Sequence, residues 1–187
     1  MKEQAVIRFL CAATILACVT GAAAQAPDPR AACLGPQAAA SPAERRAACT
    51  ALAEASGETP TIRATALTAR ASLALAAGDR AAALADLDAA IALDPRMAAS
   101  FRSRAELRLA MGETAAARAD YDAAIRLDPR NARVLVARGN LRRDNGDMGG
   151  ALADYDRAVA IDPRYAAAHN NRGNLHRAAG RLRTAQG

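Results

Sequence analysis

Apolar residues recur at helical spacing along most of the chain. Between residues 64 and 165 they return every three or four positions, as in Ala83, Leu87, Ala90 and Ile91, and this period predicts amphipathic α-helices. The predicted helices alternate, because a first helix ends at Gly and a second one ends at Asp-Pro. Glycine readily adopts the left-handed conformation that closes a helix, whereas proline lacks the N–H that would continue one. The pattern therefore predicts an all-α chain built from helix pairs.

The helix pairs repeat with a constant period. The Asp-Pro-Arg triplets at residues 94–96, 128–130 and 162–164 lie 34 residues apart. The glycines that end the first helices have the same spacing, and they are Gly78, Gly112, Gly146 and Gly180. A unit of this length with two helices and a terminal proline resembles the tetratricopeptide repeat (TPR) family. The resemblance implies a right-handed α-α superhelix, a TPR solenoid of about 3.5 repeats with an N-terminal capping helix.

The residues at the family's packing positions support the resemblance. A small residue lies midway along each first helix, at Ala71, Ala105, Gly139 and Gly173. A large residue lies in each second helix, at Leu87, Tyr121 and Tyr155. In this frame residues 64–97, 98–131 and 132–165 form three repeats, and residues 166–187 form a partial fourth repeat or a C-terminal cap helix. Residues 25–63 form an N-terminal cap segment.

One arginine per first helix departs from the family pattern. Most members have an apolar residue at the position of Arg70, Arg104, Arg138 and Arg172. Each second helix of the three repeats carries an Asp-Leu-Asp or Asp-Tyr-Asp triplet, at residues 86–88, 120–122 and 154–156. An arginine on one helix that faces an aspartate on its partner predicts a ladder of ion pairs. The aspartates do not predict metal sites, because residues two apart on a helix point to different sides.

The first 24 residues have the features of a secretory signal peptide. Lys2 and Arg8 precede a short apolar run that ends in Ala22-Ala23-Ala24, and the run is too short to span a bilayer. We therefore expect an exported, periplasmic protein without residues 1–24. An alternative is a lipoprotein anchored through Cys18, because Ile15-Leu16-Ala17-Cys18 resembles a bacterial lipidation motif. Membrane association is expected only in that case. The corresponding alternative function is a structural module of the envelope, held there by lipidation of Cys18 or by arginine contacts.

Two cysteines remain in the exported chain. Cys33 and Cys49 are sixteen residues apart, and in an oxidising compartment one disulfide is the expected outcome, with two free buried thiols as the alternative. Zinc is not expected, because too few further Cys or His residues lie near them. Ser41-Pro42-Ala43-Glu44 is a capping box with proline at the first helical position, which predicts a helix from about Pro42 to Ser56.

The resemblance also implies where a partner would bind. First helices line the concave face in this family, and its ligand-facing positions correspond here to Arg102, Glu106, Arg133, Asn140, Arg143, Asn170, Asn171, Asn174 and Arg177. Arginine and asparagine side chains suit an extended or acidic peptide segment of another protein. The alternative is a solvated charged face with no ligand. The carboxylate clamp of chaperone-binding members requires lysine and asparagine where this chain has Arg102 and Glu106, so that partner is not expected.

The net charge of +6 is compatible with nucleic-acid binding, but export makes an acidic peptide the better candidate, and no nucleic acid is expected. No nucleophile motif or phosphate-binding loop occurs in the sequence, which predicts a non-catalytic protein without cofactor. His169 and His176 lie seven residues apart at family packing positions, so we interpret them as packing residues and not as metal ligands.

Overall fold

A computed structural model describes residues 28–36 and 40–185. In this part of the chain nine helices and no strands occur, which confirms the all-α prediction. The helices are α1 (Pro29–Leu34), α2 (Pro42–Glu54), α3 (Pro60–Ala76), α4 (Arg80–Leu93), α5 (Ala98–Ala110), α6 (Thr114–Leu127), α7 (Ala132–Asp144), α8 (Met148–Ile161) and α9 (Ala166–Ala185). The predicted signal peptide and Cys18 lie outside the described residues. Within residues 28–36 and 40–185, no helix has both the length and the apolar character of a membrane span.

Each first helix packs on the second helix that follows it, so α3 pairs with α4, α5 with α6 and α7 with α8. The glycine between the members of a pair has the predicted left-handed backbone, with φ angles of 81°, 82° and 83° at Gly78, Gly112 and Gly146. The residue after the glycine donates its N–H back to the last helical turn, as Asp79 does to the Ala74 carbonyl over 2.9 Å. This closure satisfies carbonyls that the helix end would otherwise leave free.

The second helices end at the aspartate that precedes each proline. Asp94, Asp128 and Asp162 leave helical geometry, and the side chain of each accepts the N–H of the arginine two residues later over 3.0, 3.3 and 3.0 Å. Proline stops the helix because it has no N–H to donate. The aspartate stabilises the resulting turn, and the next first helix begins within four residues.

Small residues allow the paired helices to approach closely. Ala83, Ala117 and Ala151 are fully buried in the second helices of the three repeats. One such close approach lies between Gly139 on α7 and Tyr155 on α8, where a Cβ added to the glycine would lie 2.6 Å from Cε1 of the tyrosine ring. The core therefore combines the small surfaces of alanine and glycine with several large side chains per repeat, such as Leu135, Leu141 and Tyr155 in the third repeat.

A disulfide fixes the amino-terminal helices to each other. Cys33 on α1 and Cys49 on α2 are bonded, and both residues are fully buried. The predicted capping box is present, since Ser41 and Glu44 each accept the other's backbone N–H. The helix ends at Glu54, so the prediction of an end near Ser56 was wrong by two residues. A turn closed by the Glu58 N–H and the Ala55 carbonyl replaces the last helical residues, and it allows Glu58 to bind Arg30 of α1.

Helix α3 begins four residues before position 64, the predicted start of the first repeat. Thr59 caps the helix by accepting the Ile62 N–H, and Pro60 occupies its first position. Proline is favoured there because the first N–H of a helix has no partner within the helix. The extra turn carries Arg63, whose Nε donates to the Ala53 carbonyl of α2 over 2.7 Å. The longer helix thereby contacts the capping segment.

Helix α9 does not follow the pattern of the other first helices. It continues through Gly180 to Ala185, so the expected turn at Gly180 is absent. Glycine inside a helix costs about 1 kcal/mol. Helix α9 packs on α8 and α7 through its buried residues Ala168 and Leu175.

Candidate functional site

The arginine row forms the predicted ladder of ion pairs. Within each repeat the guanidinium holds the first aspartate of the triplet through two N–H groups. Arg138 donates from Nε and a terminal nitrogen to the two oxygens of Asp154, over 2.9 and 2.6 Å. Arg70 with Asp86 and Arg104 with Asp120 repeat this geometry. Two parallel bonds fix the angle between the guanidinium and the carboxylate, so the ladder sets how the two helices of a pair face each other.

The second aspartate of each triplet binds the arginine of the following repeat. Asp88 accepts from Arg104 over 2.6 Å and Asp122 accepts from Arg138 over 2.7 Å. Asp156 accepts from Arg172 of α9 over 3.1 Å. At the other end of the ladder Thr50 of the cap segment takes the place of an aspartate and accepts from Arg70 over 3.0 Å. Arg70, Arg104 and Arg138 are therefore held by structural contacts on both edges, whereas Arg172 makes only the contact with Asp156 among the described residues.

The ladder keeps its arginines charged. The hydrogen bonds from Asp154 raise the pKa of Arg138 above its usual value, although burial acts in the opposite direction. Asp120 and Asp88 raise the pKa of Arg104 in the same way. The Asp154 side chain is only 2% exposed, so this carboxylate depends on its arginine partners for its counter-charge.

The first helices of neighbouring repeats meet on one face. Thr68 of α3 and Ser100 of α5 share a hydrogen bond of 2.8 Å. Asn171 of α9 donates to Asn140 of α7 over 2.8 Å. We call the exposed side chains of α3, α5, α7 and α9 on this side the groove face.

Some predicted ligand-facing residues of the groove face bind one another. The Asn140 oxygen also accepts the Tyr155 hydroxyl over 2.8 Å, so Asn140 and Asn171 form a polar link between α7, α8 and α9. The burial of Tyr155 that accompanies this link raises the pKa of the phenol. These two asparagines are partly buried and contribute to the repeat junction as well as to the surface.

The arginines of the groove face differ in their pairing. Arg102 lies 4.0 Å from Glu106, and Arg143 lies 2.8 Å from its neighbour Asp144. Arg177 donates to Asn174. Arg133 is exposed and has no ion-pair partner among the residues that the structure describes. Four arginines therefore face two acidic residues on this surface, which leaves an excess charge of +2.

The groove face also has an apolar part that sequence reasoning missed. Leu75 at the end of α3 and Leu109 at the end of α5 are exposed to 36% and 39%. Both occupy the same ligand-facing position of the family as Arg143, so the spacing of 34 residues is the signal that identifies them. The hydroxyls of Thr65, Thr68 and Ser72 on α3 donate to carbonyls of their own helix. The α3 end of the face is consequently less polar than the α9 end.

No metal centre is formed by the described residues, since no three of their His, Cys, Asp or Glu side chains come together. His169 and His176 are both exposed, so their interpretation as packing residues was wrong. His169 donates from Nε2 to the Pro163 carbonyl over 2.9 Å, which ties it to the preceding turn. The two histidines are exposed because, in the part of the chain that the structure describes, no second helix covers this side of α9.

Comparisons with known proteins agree with this architecture. A family model described as tetratricopeptide repeat matches residues 68–132, and a second one described as TPR repeat matches residues 139–180. A search of curated proteins gave no match.

Solved structures share the fold at low sequence identity. The crystal structure of MamA is 19% identical with a TM-score of 0.64, over 74% of this chain and 79% of that one. The first TPR domain of Spaghetti (RPAP3) bound to the HSP90 peptide SRMEEVD is 20% identical with a TM-score of 0.61, over 65% of this chain and 97% of that one. A tetratricopeptide repeat protein from Parabacteroides merdae is 19% identical with a TM-score of 0.65, over 75% of this chain and 54% of that one. With family models matching more than half of its residues, the chain belongs to the tetratricopeptide repeat family.

Proposed function

We propose that the chain is a non-catalytic protein-binding module of the bacterial cell envelope, and that its groove face binds an extended, acidic segment of a partner protein. TPR arrays are interaction scaffolds with a concave binding surface. The observation that carries the proposal is the excess of arginine on the groove face after its internal pairs are counted. Four guanidinium groups face only Glu106 and Asp144 there.

The chemistry of these side chains favours a peptide in extended conformation. Guanidinium groups bind carboxylates through paired N–H donors, and the exposed amides of Asn170 and Asn174 can hydrogen-bond to a peptide backbone. The exposed Leu75 and Leu109 lie on the first two repeats, whereas the arginine and asparagine side chains are concentrated on α7 and α9. The matching ligand has acidic residues toward α9 and one or two apolar residues toward α3.

The likeness to the RPAP3 domain supports an acidic ligand but not the same one. That domain is bound to the peptide SRMEEVD. Here Arg102 and Glu106 lie 4.0 Å apart and stand where chaperone-binding members have lysine and asparagine. A carboxylate at this position would be repelled by Glu106, so we propose an acidic segment that binds mainly at α7 and α9.

Export is supported by two independent features. The sequence begins with the charged, apolar and small-residue regions of a signal peptide. The bonded Cys33 and Cys49 are also typical of an oxidising compartment. The mass of the mature protein tests this part of the proposal. A chain that begins at Gln25 supports a free periplasmic protein, and a lipidated Cys18 at the amino terminus supports the anchored form. A chain that retains Met1 contradicts both.

Selection from a random library of displayed peptides tests the groove. The wild-type protein is expected to enrich peptides with several Asp or Glu residues. The variant Arg133→Glu/Arg177→Glu reverses the charge at two exposed positions of α7 and α9 and should lose these peptides. The matched control is Arg118→Glu/Arg157→Glu, because both arginines are exposed on second helices and the change in net charge is equal.

Two results would contradict the proposal. One is the enrichment of the same acidic peptides by the groove variant and the wild type. The other is an equal loss in the groove variant and the control, which would show that overall charge, and not the groove face, attracts the peptides.

A further inference from the structure

One side of α9 differs from the same side of every other first helix. Helices α3, α5 and α7 are each covered by the second helix of their own repeat. Helix α9 carries the same set of positions, with Arg172, Gly173 and the two histidines, but no second helix covers them within residues 28–36 and 40–185. We call these four residues the α9 face. It is separate from the groove face, because it corresponds to the side on which α4, α6 and α8 pack against their partners.

Gly173 forms an open notch in the α9 face. In the preceding repeat the Tyr155 ring lies against the equivalent residue, Gly139, and a Cβ added to this glycine would lie 2.6 Å from the ring. Around Gly173 nothing described lies within 4 Å of an added Cβ. The backbone at Gly173 is thus open where the Tyr155 ring covers the backbone of Gly139.

The guanidinium of Arg172 has the same Nε edge with which the equivalent arginines of the three repeats bind a carboxylate. In Arg70, Arg104 and Arg138 the Nε edge holds the aspartate of the covering helix. Arg172 makes only the other contact of the ladder, from a terminal nitrogen to Asp156 of α8. Among the described residues no carboxylate lies on its Nε edge. Arg172 therefore has the donor groups that bind an aspartate in the three repeats, but no aspartate is bound to its Nε edge among the described residues.

We propose that the α9 face binds an α-helix of a partner protein that carries the pattern Ala-x-x-Asp-Tyr-x-x-Ala. The aspartate would take the Nε edge of Arg172, and the aromatic ring would fill the notch at Gly173. The alanines correspond to Ala151 and Ala158 of α8, which are fully buried against the neighbouring helices. Charge complementarity at Arg172 and the uncovered backbone at Gly173 both favour this occupant.

A second copy of the chain does not provide such a helix. Its aspartate-tyrosine helices are α6 and α8, in which Asp120, Tyr121, Asp154 and Tyr155 are already buried at 4% exposure or less. Their release would require a repeat to unfold. The occupant is a helix of a different protein that carries this pattern, and its binding does not depend on the ligand of the groove face.

A helical peptide with the sequence of α8, residues 148–161, is a suitable probe. A side-chain link on its exposed face should hold it helical, because isolated helices of this length are marginal in water. Fluorescence anisotropy of the labelled peptide should show saturable binding to the purified protein. Arg172→Gln should weaken binding about tenfold, as expected for the loss of a charge-assisted pair. Gly173→Leu should do the same by placing a side chain in the notch, and it leaves Arg172 unchanged; no described atom lies within 4 Å of the added Cβ.

Matched controls separate this site from the groove. Arg118→Gln removes an exposed arginine of α6, outside the α9 face, and should leave peptide binding unchanged. The same result is expected for Arg102→Glu/Arg133→Glu on the groove face, so failure of the groove hypothesis would not affect this test. Circular dichroism checks that each variant retains the helical content of the wild type.

The proposal is overturned if the peptide does not bind, if Arg172→Gln and Gly173→Leu bind it as the wild type does, or if the groove variant loses it. Sedimentation of the protein alone provides a further check. A dimer that dissociates in Gly173→Leu would assign the face to a second copy and would also overturn the proposal.

Discussion

Arg138 binds Asp154 through two parallel hydrogen bonds of 2.9 and 2.6 Å, in a site where the aspartate side chain is 2% exposed. The same guanidinium reaches back to Asp122 of the preceding repeat over 2.7 Å. One arginine therefore fixes both the pairing of helices within a repeat and the stacking of one repeat on the next. In a chain where half of the buried hydrophobic residues are alanine, this directional contact specifies the register of the helices.

The two aspartates should differ in their effect on stability. Arg142 also donates to Asp154, over 2.9 Å. Asp154→Asn leaves both arginines with an uncharged partner in a buried site, and we expect a loss of about 3–5 kcal/mol in the free energy of unfolding. Asp122 is 33% exposed, so Asp122→Asn should cost less than about 1 kcal/mol. Urea unfolding of both variants measures the difference. Equal losses would show that the two contacts of the ladder are equivalent, contrary to this expectation.

The disulfide should stabilise the amino-terminal cap. A loop of sixteen residues between Cys33 and Cys49 corresponds to about 3 kcal/mol of stabilisation by the loss of chain entropy in the unfolded state. Reduction should therefore lower the melting temperature of the wild type. The variant Cys33→Ala/Cys49→Ala is the control, because its melting temperature should be low already and should not respond to the reductant. A wild type that melts at the same temperature with and without reductant would contradict the prediction.

Much of the architecture could be predicted from the sequence because its signals are local and periodic. Gly78 and Pro95 act within one turn of the helix ends that they determine, and their recurrence fixes the phase of the array. The ladder of ion pairs was also predictable, since an arginine and an aspartate recur 16 residues apart in each of the three repeats, as Arg138 and Asp154 do. The sequence does not show that both aspartates of a triplet are bound by arginines of successive repeats, because these contacts depend on the relative positions of three helices.

Other features depend on contacts between distant residues and were not predictable in this way. The early start of α3 rests on Thr59 and on contacts of Arg63 with α2, which the repeat frame ignores. His169 and His176 occupy packing positions of the 34-residue repeat, but a side chain at such a position is buried only when a second helix covers it. In the groove, sequence spacing identifies the exposed side of each first helix. It does not show that Asn140 is bound by Tyr155 and Asn171.

Two glycines at the same position of neighbouring repeats should respond in opposite ways to alanine. At Gly139 a Cβ would collide with the Tyr155 ring, and overpacking of this kind costs about 1–3 kcal/mol. At Gly173 the space is open, so Gly173→Ala should gain up to about 1 kcal/mol from helix propensity. The melting temperatures of the two variants give the comparison directly. Stabilisation by Gly139→Ala would show that the ring can move away from α7.

Tyr121 should make the fold sensitive to alkaline pH. Burial raises the pKa of its phenol from 10.0 to about 12, because the ionised form would lose its hydration inside the repeat. Below pH 10 both the folded and the unfolded chain hold the proton, and this stabilising contribution is fully present. Between pH 10 and 12 the unfolded chain releases the proton while the folded chain retains it, so stability falls as pH rises, by up to about 3 kcal/mol in total. Urea midpoints across this interval should fall less steeply for Tyr121→Phe than for the wild type. Tyr165→Phe is the control, since Tyr165 lies in a turn and is only partly buried, and a slope in Tyr121→Phe as steep as that of the wild type would refute the assignment.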